Sequence, residues 1–178
     1  MNPHPVLIIC MGVCGSGKSS LAIELAETLA LSFLEADDFH SVQNKTFMAT
    51  GRALTEAMRA PWIDSLCSTL TNEHQQGQGC VLAYSGLKRD HRQRFRQLGF
   101  RTLFLYLKGD KHLIAGRLQK RSDHFAASGL LDSQFAEMQA PDQEADVVTV
   151  SIDKQLPGVI ANALQTTRRF LQQEKTID

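Results

Sequence analysis

Lys18 is the residue around which a phosphate site would be assembled, because of what surrounds it. Gly12-Val13-Cys14-Gly15-Ser16-Gly17-Lys18-Ser19 fits the pattern G-x-x-x-x-G-K-[ST] at each fixed position. Glycines without Cβ atoms let successive backbone N–H groups turn inward around phosphate oxygens, and the free N–H groups and dipole of a following helix favour an anion. In that chemistry the stretch from Gly12 to Ser20 cradles ATP, Lys18 reaches the β- and γ-phosphates, and Ser19 holds Mg2+ directly. A tight strand-to-helix turn with no ligand is the bland alternative. Cys14 lies inside the loop, where Lys18 and the helix terminus bear on its thiol; a small passive filler is the simpler reading, and a redox-sensitive thiol stays open.

A second group of residues suits the other half of a transfer reaction. Glu35, Asp37, Asp38 and His40 fall close together. Transfer to a hydroxyl needs a carboxylate that takes the acceptor's proton, and Asp37 is assigned that role, with helix capping as its alternative. Glu35, one alternation back on the same face, is placed to hold a magnesium-bound water. Lys88 and Arg92, spaced i, i+4, are expected to face an anionic acceptor together, whereas Arg94 and Arg96 read as a solvated helix face. Arg117 and Arg121 share the i, i+4 spacing and suit cations that close over transferring phosphates. His124 reads equally as a structural histidine or a site residue.

Positioning these groups requires strands that end beside them. Five apolar runs are strand-like: VLIICM from Val6, SFLEAD from Ser32, GCVLAYS from Gly79, RTLFLYLKG from Arg101 and DVVTVSID from Asp146. Helical periodicity fills the segments between them, ending in a helix over 156–175. Strands separated by helices pair in parallel, which gives a three-layer α/β domain with ligands at the carboxyl ends of the strands. The expectation is therefore one domain over 1–178, a P-loop kinase fold with a five-stranded parallel sheet. Two longer segments interrupt the alternation. Residues 40–78 are expected to form a helical substrate cap and 117–144 a lid, because an activated phosphoryl group must be kept from water.

Composition narrows the partners. Lys plus Arg and Asp plus Glu both number 19 in 178 residues, so no excess of positive charge points to nucleic acid, and a small-molecule partner is expected. The segment MNPHPVLIIC carries no basic leader and is too short an apolar run to cross a bilayer, so neither export nor membrane insertion is expected and a cytoplasmic enzyme is the default. Cys10, Cys14, Cys67 and Cys80 show no C-x-x-C spacing, which argues against zinc and disulfides. The third strand ends in Ser85 rather than Asp, and Asn44-Lys45-Thr46-Phe47 lacks the Asp of a guanine-reading N-K-x-D, so guanine-nucleotide switches are disfavoured.

Taken together, MGVCGSGKSS, EADDFHSVQNKTFMATGRALTEAMRAPW, SGLKRDHR, LYLKGD and KRSDHFAASGLLDSQF resemble the gluconokinase family of small P-loop sugar-acid kinases, nearly end to end. The resemblance implies transfer of the γ-phosphate of ATP to the 6-hydroxyl of D-gluconate, ATP and Mg2+ as cofactors, and a cytoplasmic homodimer. It also implies Asp37, His40, Arg59, Lys88, Arg92 and His124 around the sugar acid. A linear polyhydroxy carboxylate, with many hydroxyls and one anion, suits such a set better than an aromatic slot. The chain departs from the family at Glu35, Phe47, Glu56, Met58, Tyr84, Gly86, Asp123 and Gln139-Ala140, none of them in the phosphate loop. A shikimate-like or other aldonate kinase, or a nucleotide-binding regulator without turnover, are the competing readings.

Overall fold

The computed structural model of the chain describes residues 4–120 and 124–173, with residues 124–128 described by backbone alone. Five strands form its sheet: β1 (Val6–Met11), β2 (Ser32–Glu35), β3 (Cys80–Ala83), β4 (Arg101–Lys108) and β5 (Val147–Ser151). All four pairings are parallel and the order is β2-β3-β1-β4-β5. β1, the first strand in sequence, is thus central, and the loop that follows it opens beside the ends of both β3 and β4.

The alternation of β1 sorts the core into two layers. Ile8 and Cys10 face one side, where they pack with Leu21, Ala22 and Leu25 of α1 (Lys18–Leu29) and Val159 and Ala163 of α7 (Leu156–Gln172). Leu7, Ile9 and Met11 face the other, against Trp62, Ile63, Leu66 and Leu70 of α3 (Glu56–Gln75) and Phe95 of α4 (Arg89–Arg96). Each such fully buried aliphatic side chain contributes about 1.5–3 kcal/mol. Three further helices are α2 (Val42–Ala49), α5 (Lys111–Gln119) and α6 (His124–Glu137).

Within 40–78, the two helices do different work. α2 is short and rims the cleft described below; its Asn44 is buried and donates through Nδ2 to Met58 O at 3.0 Å, which docks it onto α3. α3 is a layer of the core. Its Pro61 lies in the second turn, past the N–H groups left free at the Thr55 cap, so it costs the helix the i→i−4 bond to Ala57 O, and the helix nonetheless continues to Gln75. In the 117–144 region, Arg117 lies in the last turn of α5, and α6 packs on α5 and reaches α2.

The second strand stops two residues short of the expected end. Ala36–Phe39 form a 3₁₀ turn, initiated by Glu35, whose side chain accepts from Asp37 N at 3.4 Å. This turn lifts Asp37 off the sheet edge and exposes it.

Candidate active site

Backbone geometry at the phosphate loop accounts for its glycines. Gly12 has φ +148°, and a Cβ there would lie 2.8 Å from Leu107 O and 2.9 Å from Ser16 Oγ. Gly17 is the N-cap of α1 with φ +96°, and a Cβ there would meet nothing within 4 Å, so the space beside this N-terminus is open. No side chain caps α1 and no acidic residue occupies its first turn, which leaves its N–H groups and dipole directed at that space. Ser16 Oγ is buried without a partner among the described residues. An orphaned hydroxyl, uncapped N–H groups and an open approach are the features that a polyphosphate would satisfy.

Lys18 is half-buried, and its Nζ donates to Val13 O at 2.9 Å. Desolvation drives its pKa down, while the nearby Asp37 carboxylate opposes that shift, so the two groups are coupled across the site. Ser19 Oγ donates to Glu35 Oε2 at 2.5 Å. Two adjacent oxygen donors of this kind are chemically suited to Mg2+: Ser19 would bind the ion directly and Glu35 an intervening water, the remaining oxygens coming from phosphates and solvent. Burial raises the thiol pKa of Cys14 despite Lys18, and its N–H donates to Gln134 Oε1 at 2.6 Å, so the thiol lacks the thiolate character of a reactive cysteine.

Two clefts meet at this loop. One, of about 310 Å³, is lined by Cys14, Lys18, Asp37, His40, Arg59 and Trp62 among others. The other, of about 240 Å³, is lined by Gly15, Ser16, Gly17, Ser20, Arg117 and Leu156 among others. Arg117 donates to Ile152 O at 2.8 Å, which holds it at the second cleft. Sharing one phosphate loop between two cavities is what a transfer between two bound molecules requires.

In the first cleft the wall is built around Trp62. Its indole donates to Ala36 O at 2.7 Å, and His40 stacks on it with centroids 4.0 Å apart and planes at 23°. His40 is buried, which lowers its pKa, and its Nδ1 has no partner among the described residues, while Nε2 lies 4.0 Å from Asp37 Oδ1. A neutral imidazole with a free ring nitrogen suits a hydroxyl-bearing acceptor. Asp37 lines this cleft and Asp38 does not.

Of the basic residues expected here, Arg59 lines the cleft, with its guanidinium on Glu56 at 3.0 Å and on Glu137 of α6 at 2.6 Å. Lys88 pairs with Glu56 at 2.9 Å. Partial burial works against the charge of Glu56, yet the Lys88 hydrogen bond and the neighbouring His91 hold its carboxyl down to about 2. Arg92 corrects the sequence reading. It is 0% exposed, and its guanidinium is consumed by Glu144, Gly86 O and Gln139 O, so the i, i+4 pair with Lys88 does not converge on an acceptor. Neither Arg92 nor Lys88 is among the described residues lining the cleft. Arg96 is not solvated either: it binds Glu144 and Asp146 and covers Phe104, whereas Arg94 pairs with Asp64 at the surface. Arg121 and the side chain of His124 lie outside the described residues.

Arg92→Met is therefore expected to cost about 3 kcal/mol in urea unfolding, because a buried carboxylate loses its inner partner. Hydrogen bonds from Arg92 and Arg96 hold the Glu144 carboxyl below its usual range against the effect of burial. Their stabilisation is accordingly present above the ordinary carboxylate pKa and lost as pH falls through the lowered one. A loss under about 1 kcal/mol, with weakened acceptor binding instead, would return Arg92 to the site.

Two contributors escaped the sequence reading. Gln134 of α6 reaches the phosphate loop, and Lys45 of α2 lines the first cleft.

Parallel order, phosphate loop and paired clefts together define a P-loop kinase. Residues 7–144 match the family described as an AAA domain. The thermoresistant gluconokinase of Escherichia coli is 35% identical over 169 residues, covering 94% of this chain and 96% of that one. The gluconokinase of Gluconobacter oxydans is 36% identical, covering 92% of each. Among solved structures, a gluconokinase from Sinorhizobium meliloti superposes with TM-score 0.84 at 32% identity over 94% of both chains. APS kinase from Mycobacterium tuberculosis shares the fold, at TM-score 0.70 and 19% identity. The chain belongs to the gluconokinase family and is a kinase.

Proposed function

We propose that the enzyme transfers the γ-phosphate of ATP to the 6-hydroxyl of D-gluconate, giving 6-phospho-D-gluconate and ADP. The observation that carries this reading is the meeting of the two clefts at the phosphate loop, with Lys18, Asp37 and the His40 Nδ1, unpartnered among the described residues, on the acceptor side. ATP would lie in the cleft of Ser16, Ser20 and Arg117, and the sugar acid in the cleft of Asp37, His40, Arg59 and Trp62. Asp37 accepts the proton as the acceptor oxygen bonds to the γ-phosphorus and the bond to the β–γ bridging oxygen breaks. Lys18 balances charge on the transferring group, and Arg117 supports it from α5. Ser19, and through a water Glu35, would hold Mg2+, which when bound would supply charge neutralisation at the phosphates.

Relatives bearing the gluconokinase name along nearly the whole chain support the acceptor assignment. No helix among the described residues is long and apolar enough to cross a membrane. The family resemblance supports a cytoplasmic homodimer, which sedimentation of the purified chain tests. Coupled ADP release with ATP and magnesium, run with D-gluconate, other aldonates and shikimate, tests the reaction. D-gluconate should give the highest kcat/KM; preference for shikimate, or ATP binding without turnover on any acceptor, would overturn it.

A further inference from the structure

The acceptor cleft presents cations of unequal freedom. Lys18 is tied to Val13 O and committed to phosphate. Arg59 spends its two terminal nitrogens on Glu56 and Glu137, and Glu56 also receives Lys88 and His91. Burial lowers the pKa of His91, so that cluster holds two cations against two carboxylates. An anionic acceptor approaching it meets no surplus charge and must first displace Glu137 or Glu56.

Lys45 differs. It lines the same cleft, is exposed, and has no hydrogen-bonding or ionic side-chain partner among the described residues. Its backbone is nonetheless fixed. Lys45 N donates to Ser41 O at 3.0 Å, and the adjacent Asn44 ties α2 both to the Ser41 cap at 3.1 Å and to α3 through Met58 O at 3.0 Å. Burial, the largest influence on His40, is reinforced by the positive charge of Lys45, which places the ammonium within electrostatic reach of the imidazole beside Asp37.

We infer that Lys45 is a specificity-determining residue, pairing with the carboxylate of the acceptor while Asp37 takes the distant hydroxyl. A linear sugar acid separates its carboxylate from its terminal hydroxyl by the length of the molecule, so the group that holds the anion must be distinct from Lys18 and Asp37. This assignment rests on the sugar-acid reading above. Lys45 adds to the cleft a positive charge that no carboxylate among the described residues pairs with, and so a reason to prefer an aldonate over the corresponding neutral polyol.

The test compares wild type, Lys45→Met and Lys45→Arg, measuring KM and kcat for D-gluconate at saturating ATP and the inhibition constant of D-glucitol, a neutral polyol of matching length. Lys45→Met should raise KM about tenfold, with the effect on KM exceeding that on kcat, since a charge-assisted contact to substrate is lost. Lys45→Arg should recover KM to within about threefold of wild type, and D-glucitol should inhibit all three proteins alike. A KM within about twofold of wild type in Lys45→Met, or a parallel weakening of D-glucitol, overturns the assignment. Wild-type turnover confined to acceptors without a carboxylate overturns the functional reading and this inference together, which separates that failure from a failure at Lys45 alone.

Discussion

Lys18→Ala is expected to lower kcat at least about 100-fold while the protein stays folded, because a preorganised cation facing developing charge is worth roughly that much in a shielded site. The fold should survive for local reasons. Lys18 is the first residue of α1, its single side-chain bond among the described residues is to Val13 O, and alanine is a good helix former. The loop's conformation is set instead by its glycines and by the central strand beneath it. Steady-state kinetics alongside urea unfolding separates the two effects: unfolding should shift little, and the loss should fall on kcat more than on KM for ATP. Retention of more than about a tenth of wild-type kcat would count strongly against the role, since tenfold corresponds to only about 1.4 kcal/mol.

That prediction was available from the sequence because both of its supports are local. The loop is eight consecutive residues with fixed spacing, and the strand before it is a continuous apolar run in a sheet covered on both faces. The five strands were legible for the same reason, with errors confined to their ends; nothing in SFLEAD announces that Glu35 turns the chain into a 3₁₀ helix.

Arg92 was not legible. Its i, i+4 relation to Lys88 suggests a shared face, but its orientation is decided by Glu144, 52 residues away, and by carbonyls at Gly86 and Gln139. A signal did exist in Glu144 and Asp146, an acidic pair just before the fifth strand that balances Arg92 and Arg96. Charge complementarity of that kind has no period, so it becomes readable only once packing has brought the segments together. The Arg59–Glu137 pair and the Gln134 contact to Cys14 are of the same type, each joining α6 to a part of the site distant in sequence. What the sequence could not apportion was which cations the protein keeps for itself and which it leaves for substrate.

Asp37→Asn is expected to reduce kcat by about 10² to 10⁴ while ATP binding is preserved, the range typical of lost general-base assistance. The substitution is nearly isosteric, and the Asp37 side chain is 81% exposed, so stability should change little. Nor does it dismantle the cleft wall. The 4.0 Å separation between Asp37 Oδ1 and His40 Nε2 is too long for a hydrogen bond, and His40 is held by its stack on Trp62. The 3₁₀ turn that presents Asp37 depends on the backbone N–H donating to Glu35, which asparagine retains. Direct ATP titration together with kinetics on D-gluconate distinguishes the outcomes. If Asp37→Asn stays active within a few-fold, the base is elsewhere, and the exposed Asp38 becomes the candidate. If ATP binding falls as well, the Asp37 charge that acts on Lys18 matters to the nucleotide site itself, and its role is electrostatic support of phosphate or metal rather than proton transfer.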